Sequence, residues 1–167
     1  VKMQSGRQIS VQNGQLIIGS ASNPSPVVIT SYKDDAYGGD TNNDGATSPG
    51  VGDWKYIQAS SANSHVTINN ALIRYGGFNS AMVQVLSDAQ ATITNTTIEY
   101  SNNTGLGIRN GATTLVLTNS IIRHTYEGLT ISFQADATIT GSTFSNNLRG
   151  IAIDTDADVA NLTISGN

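Results

Sequence analysis

From about residue 60 onward, short runs of alternating apolar and polar residues recur along the chain. Four segments superimpose: Val66-Thr-Ile-Asn-Asn-Ala-Leu-Ile-Arg-Tyr75, Ala91-Thr-Ile-Thr-Asn-Thr-Thr-Ile-Glu-Tyr100, Leu115-Val-Leu-Thr-Asn-Ser-Ile-Ile-Arg-His124 and Ala137-Thr-Ile-Thr-Gly-Ser-Thr-Phe-Ser-Asn146. A fifth opens at Leu162-Thr-Ile-Ser-Gly-Asn167. Taking Ile68, Ile93, Leu117, Ile139 and Ile164 as equivalent gives spacings of 25, 24, 22 and 25 residues, so the length changes belong in turns. Within a repeat, Thr-Ile-Thr alternates outward polar with inward apolar positions, and the next piece does the same with Ile73, Ile98, Ile122 and Phe144 inward. After a Gly-bearing turn come Val83 and Val85, Leu106 and Ile108, Leu129 and Ile131, and Ile151 and Ile153. No segment sustains a helical period.

Three short strands per repeat predict an all-β coil that stacks on its neighbours, because one such coil cannot bury its apolar face alone. A leucine-rich repeat has a similar length, but its Leu-x-x-Leu-x-Leu signature is missing. Stacking at about 4.8 Å sets equivalent residues above one another in rows. One row is Asn70, Asn95 and Asn119, continued by Gly141 and Gly166, at the corner between the second and third strands, where the amides are expected to bond to each other and to turn backbone. A second is Tyr75, Tyr100, His124 and Asn146, with His124 expected to stack under Tyr100. A third, Arg74, Glu99 and Arg123, alternates in charge, and an exposed pair of that kind is worth under about 1 kcal/mol.

The asparagine row resembles the asparagine ladder of the pectate-lyase-like superfamily, over residues 60 to 167. The fold expected is therefore a right-handed parallel β-helix, a β-solenoid with three strands per coil and about six or seven coils, roughly 30 Å long. Residues 1 to 167 are expected to form a single domain, a fragment of a longer solenoid, because the repeat is cut off and neither end carries a polar cap. Continuation of the solenoid or self-association end to end follows from the same reading.

The first third adds Ile9 and Val11, Leu16 and Ile18, and Val27 and Ile29, separated by Asn13-Gly14 and Asn23-Pro-Ser-Pro26: one more coil and part of another. The alternation then breaks from Asp34 to Asp53, an acidic, glycine-rich loop insertion, and resumes at Trp54-Lys-Tyr-Ile57. Inside the loop, Asp40-Thr-Asn42-Asn-Asp44-Gly45 matches the first half of a calcium loop, with oxygens at positions 1, 3 and 5 and a glycine at the sharp turn. Position 12 is Val51 instead of glutamate, so the missing carboxylate would come from Asp34, Asp35 or Asp53. A solvated turn without metal is the competing reading. The stretch Pro26-Val-Val-Ile-Thr-Ser-Tyr-Lys-Asp-Asp35, followed by Gly38-Gly-Asp-Thr-Asn-Asn-Asp-Gly45 and Gly52-Asp-Trp54, resembles a recurrent segment of large secreted bacterial β-helix repeat proteins. In that family the Trp is generally followed by glycines, where this chain has Lys55-Tyr56.

Composition narrows the function. A net charge of -4 with eight Lys and Arg in total excludes the clustered basic face of a nucleic-acid binder. No window offers the roughly 18 uninterrupted apolar residues of a membrane span, and Val1 opens into polar sequence with no signal peptide. The absence of cysteine rules out a disulfide framework and is compatible with bacterial export, so an extracellular or cell-surface location is expected.

The resemblance to the pectate-lyase-like superfamily implies, for an enzyme, a site outside the first strand of the coil. Gln84, Arg109, Ser132 and Asp154 are expected to point outward there in one row, with Asp136, Asp156 and Asp158 in nearby turns. Arg109 and Asp154 are the candidate catalytic pair, two coils or about 9.6 Å apart by ladder spacing. A lyase needs a basic residue and a calcium-holding carboxylate cluster, and an inverting hydrolase needs carboxylates about 6.5–9.5 Å apart. With no Cys, no His-x-x-x-His and no Ser with an evident base, nucleophilic and zinc chemistry have no support. The outward columns of Thr67, Thr92, Thr138 and Thr163 resemble ice-binding faces, but Val116 interrupts them and Thr is a favoured strand residue in any case. The function expected is a non-catalytic, calcium-stabilised surface or adhesin-type module whose strand faces meet polysaccharide, a surface protein or another copy. The alternative is a lyase or hydrolase acting on acidic polysaccharide.

Overall fold

A computed structural model describes residues 1–154 and 161–167. The strands in chain order are β1 (Lys2–Met3); then β2 (Ile9–Val11), β3 (Gly14–Ile18) and β4 (Val27–Ser31); β5 (Ile57–Ser60), β6 (Ser64–Asn69) and β7 (Ala71–Arg74); β8 (Val83–Leu86), β9 (Gln90–Thr94) and β10 (Thr97–Glu99); β11 (Thr104–Arg109), β12 (Thr114–Thr118) and β13 (Ile121–Arg123); β14 (Glu127–Ser132), β15 (Asp136–Thr140) and β16 (Thr143–Ser145); and β17 (Arg149–Ile153) with β18 (Leu162–Ser165). Every third strand pairs in parallel, giving three six-stranded sheets: β2-β5-β8-β11-β14-β17, β3-β6-β9-β12-β15-β18 and β1-β4-β7-β10-β13-β16. The chain is thus an all-β solenoid of about six turns. Among the described residues no helix is long and apolar enough to cross a membrane.

The repeat register holds row by row. Ile18, Ile68, Ile93, Leu117, Ile139 and Ile164 are paired in succession across the second sheet, and Ile29, Ile73, Ile98, Ile122 and Phe144 across the third. In the first sheet Val83, Leu106, Leu129 and Ile151 form one inward row and Val85, Ile108, Ile131 and Ile153 the next. These branched side chains suit a pleated surface, and the middle coils seal them from water. At about 25 cal/mol per Å² of apolar area, this continuous core is the main stabilising term.

The asparagine row lies where the alignment puts it but does a different job. Asn70, Asn95, Asn119, Gly141 and Gly166 all have φ between 48° and 64° and turn the chain from the second sheet to the third. That left-handed kink sends the side chain out: Asn95 and Asn119 are exposed. The inward ladder belongs to the next residue. The Thr96 amide donates to Ser120 Oγ at 3.2 Å, the Ser120 amide to Ser142 Oγ at 3.2 Å, and the Ser142 amide to Asn167 Oδ1 at 2.7 Å. Each hydroxyl in turn donates to the carbonyl two residues before it: Thr96 to Thr94, Ser120 to Thr118, Ser142 to Thr140. Ser120→Ala is therefore expected to cost about 1–3 kcal/mol, because it leaves the buried Thr96 amide without an acceptor. Asn95→Gly, which suits the left-handed backbone, should change stability by no more than a few tenths of a kcal/mol or raise it. Urea unfolding of the two variants checks this, and the reverse order would return the ladder to the asparagines.

The acidic insertion occupies the turn between β4 and β5. Trp54, fully buried, anchors its return to the coil. The indole Nε1 donates to the Arg74 carbonyl at 2.9 Å, and the ring lies against Gly76 so closely that a Cβ there would fall 2.6 Å from it. The resumed strand begins at Ile57, three residues later than the apolar signal suggested.

Candidate functional site

Three places bring together the side chains that sequence reasoning singled out. The first is the acidic loop. Asp40 closes its turn by accepting the amides of Asp44 (3.2 Å) and Gly45 (3.0 Å), so the 40–45 segment curls as its spacing predicts. Asn42 Nδ2 donates to Asp44 Oδ2 at 2.6 Å, and Asp44 Oδ1 accepts Thr47 Oγ1 at 3.2 Å. Asp35 Oδ2 accepts the Thr47 amide at 3.1 Å, which draws Asp35 to the same knot. The remaining oxygens Asn42 Oδ1 and Asp35 Oδ1 are buried with no hydrogen-bond donor, although Lys2 Nζ stands 3.8 Å from the latter.

Asp34 and Asp53 are engaged elsewhere. Asp34 is buried and accepts Thr30 Oγ1, while Asp53 accepts Ser31 Oγ at 2.7 Å, the Gly50 amide at 2.9 Å and Lys33 Nζ at 3.2 Å. The hydrogen bond from Lys33 to Asp53, reinforced by the carboxylate's charge, raises the lysine's pKa. Among the described residues no three carboxylate or imidazole groups gather at ligating distance. The donor set that fits a hard cation is therefore mixed: the carboxylates of Asp40, Asp44 and Asp35 with the amide oxygen of Asn42, all oxygen as calcium requires. The sequence shows the 1-3-5 spacing, but not that Asp34 and Asp53 are spent on strand β4 and Lys33.

The second place is the column at the start of the turns that follow the third sheet. Tyr75 stacks on Tyr100 with centroids 5.3 Å apart, and Tyr100 on His124 at 4.8 Å with planes 4° from parallel. His124 is thus a corner residue packed face to face. Beside it Glu99 receives Arg123 at 2.7 Å and Arg74 at 3.2 Å. Glu99 is only 3% exposed, so this charge row is buried at its centre and not the exposed ladder its alternation suggests. Arg74 also lies over the rings of Tyr75 (4.5 Å), Tyr100 (5.4 Å) and Tyr37 (5.7 Å), the last of which comes from the acidic loop. Burial pushes the Tyr75 hydroxyl up, partly offset by Arg74.

The third place is the outer face of the first sheet. Leu86, Arg109 and Ser132 form one row, and the Asp154 amide donates to the Ile131 carbonyl at 3.1 Å, which continues the row to Asp154. Arg109 and Asp154 are therefore two coils apart, with the buried Ser132 between. Gln84 does not join them. It pairs with Gly107 and lies two residues earlier in the strand, buried beneath the 76–82 turn, where Ser80 Oγ reaches its Oε1 at 3.2 Å. The slip arises because that turn is longer than its counterparts and folds back over the sheet. Asp136 is taken up by the Asn161 amide at 2.9 Å, and Asp156 and Asp158 lie outside the described residues. A further cluster, not anticipated from the sequence, sits at the opening of the same strands: Glu127 accepts Thr130 Oγ1 at 2.8 Å and pairs with Arg149 at 2.7 Å. Its signal was the Thr104, Glu127, Arg149 row just before the glycines.

Parallel coils, three sheets and inward aliphatic rows define a parallel β-helix protein. The family described as a right-handed β-helix region matches residues 55–167, more than half of the chain, and the chain belongs to that family. The match begins at Lys55, directly after Trp54, so the acidic loop lies outside it. No curated protein and no solved structure matches the chain.

Proposed function

We propose that the chain is a non-catalytic extracellular module of surface or adhesin type, in which calcium orders the acidic insertion and the strand faces bind polysaccharide or a surface protein. The observation that carries this reading is the buried, donorless Asn42 Oδ1 set beside the Asp44 carboxylate in a loop curled around Asp40. A buried acceptor without a partner costs roughly 1–3 kcal/mol, and a cation is the partner that three nearby carboxylates favour. An insertion of this length with no strand of its own is also the kind of segment that carries function or needs a ligand to order it. The outer edges β16, β17 and β18 support a further part of the proposal, that more coils or another copy stack along the axis, because parallel edges template added strands.

A lyase or hydrolase acting on acidic polysaccharide is the reading this one displaces. Its support is the Arg109 and Asp154 row, in which neither side chain is held by a hydrogen bond from another described residue. Purified protein with calcium, incubated with pectin-like and alginate-like polymers, is expected to yield neither new reducing ends nor the absorbance of an unsaturated product. Degradation that disappears in Arg109→Ala would overturn the non-catalytic reading.

A further inference from the structure

Three dipeptides in the chain place an Asn or Asp before a glycine: Asn13-Gly14, Asp44-Gly45 and Asn110-Gly111. Such pairs are prone to one spontaneous reaction, because glycine leaves the following amide nitrogen unshielded. That nitrogen attacks the side-chain carbonyl carbon, the N–C bond forms, and an amide side chain leaves as ammonia. Water then opens the five-membered succinimide at either carbonyl, giving aspartate or isoaspartate. No oxidant, enzyme or cofactor is needed. What decides the rate in a folded chain is whether the attacking amide and the attacked side chain are free to meet.

The structure treats the three pairs differently. At Asp44-Gly45 the Gly45 amide is donated to Asp40 Oδ2 at 3.0 Å, and the Asp44 carboxylate is held by Asn42 and Thr47. At Asn13-Gly14 the side-chain Oδ1 accepts Ser61 Oγ at 3.2 Å, the Asn13 amide reaches Ser64 Oγ at 3.1 Å, and Gly14 is already the first residue of β3. Asn110 is exposed, its side chain makes no hydrogen bond among the described residues, and none engages the Gly111 amide. Both residues have positive φ, 70° and 77°, in the tight turn from β11 to β12. Glycine is obligatory there: a Cβ on residue 111 would fall 2.0 Å from Asp88 Oδ1, which accepts the Ala112 amide at 2.7 Å. The turn therefore cannot shield the amide with a side chain.

We infer that Asn110 is a site of spontaneous deamidation in the folded protein, selected over Asn13 by the hydrogen bonds that hold one and not the other. The product reports back on the fold. The Asn110 carbonyl accepts the Asp88 amide at 3.2 Å from the coil before it and Thr113 Oγ1 at 2.8 Å. Isoaspartate adds a main-chain atom at this point and pulls the carbonyl out of that register, whereas aspartate only adds a charge near Asp88. The aspartate form is thus tolerated and the isoaspartate form loosens the corner.

Incubation of the folded protein at mildly alkaline pH, followed by peptide mapping with fragmentation that separates aspartate from isoaspartate, tests this. Asn110 is expected to convert about tenfold faster than Asn13, the factor that one or two hydrogen bonds at Asn13 supply. In urea the two rates should converge, since both residues precede glycine. Ser61→Ala should raise the Asn13 rate and leave Asn110 unchanged. Equal rates in the folded protein, or conversion at Asn110 only after unfolding, would overturn the inference.

Discussion

Trp54→Ala is expected to lower stability by about 3–5 kcal/mol, the range for removing a fully buried aromatic from a packed core. In a chain of this size that corresponds to a fall in melting temperature of roughly 6–20 °C. Two losses combine. The indole leaves a cavity against Gly76 and strands the Arg74 carbonyl that its N–H satisfies at 2.9 Å. The insertion also loses the anchor that returns it to β5: the Phe78 amide bonds to the Trp54 carbonyl and the Gly77 amide to that of Lys55, so the 76–82 turn is tied to the same point. Gly76→Ala should be damaging for the complementary reason, since its methyl group collides with the ring. Thermal unfolding of both variants checks the argument, and a Trp54→Ala protein that melts with the parent would show that the insertion is held by other contacts.

The second large effect is at Glu99. Glu99→Ala is expected to cost about 3 kcal/mol, near the lower end of what removing one member of a buried ion pair costs. The loss falls short of the full range because the Arg123 side chain is 42% exposed and can turn to water, whereas Arg74, at 15%, is confined among three tyrosine rings. Arg123→Ala should accordingly cost much less than Glu99→Ala. Because the carboxylate is buried, salt should weaken the interaction little. Urea unfolding at low and high ionic strength distinguishes this from a surface pair: a Glu99→Ala loss below about 1 kcal/mol that vanishes in salt would return the row to the exposed class.

The inward rows were legible because a strand has a period of two and the repeats are nearly identical in the second and third sheets. Ile68 to Ile164 could be aligned without knowing the turns. What went astray did so at corners. One left-handed residue reverses the alternation, so counting inward from Asn95 placed its amide in the core when the hydroxyl of the next residue, Thr96, lies there. The small polar residues at 96, 120 and 142 were the available signal. Gln84 slipped for a related reason: apolar neighbours on both sides mark it as outward, but nothing in the sequence says that the preceding turn covers that face. In the acidic loop the spacing of Asp40, Asn42 and Asp44 marks the curl, while the fate of Asp34 and Asp53 depends on Thr30, Ser31 and Lys33, contacts made by the fold and not by spacing. The burial of Glu99 was hidden because alternating charges read alike whether solvent or Arg74 and its tyrosines cover them.

The central claim, that a cation orders the insertion, is most directly tested by titrating calcium into the protein in a calorimeter, alongside Asp40→Asn and Asp44→Asn. The account predicts heat that fits one site in the parent, loss of that heat in both variants, and a lower melting temperature when a chelator is present. A parent protein that gives no heat and melts at the same temperature with calcium and with chelator would contradict it.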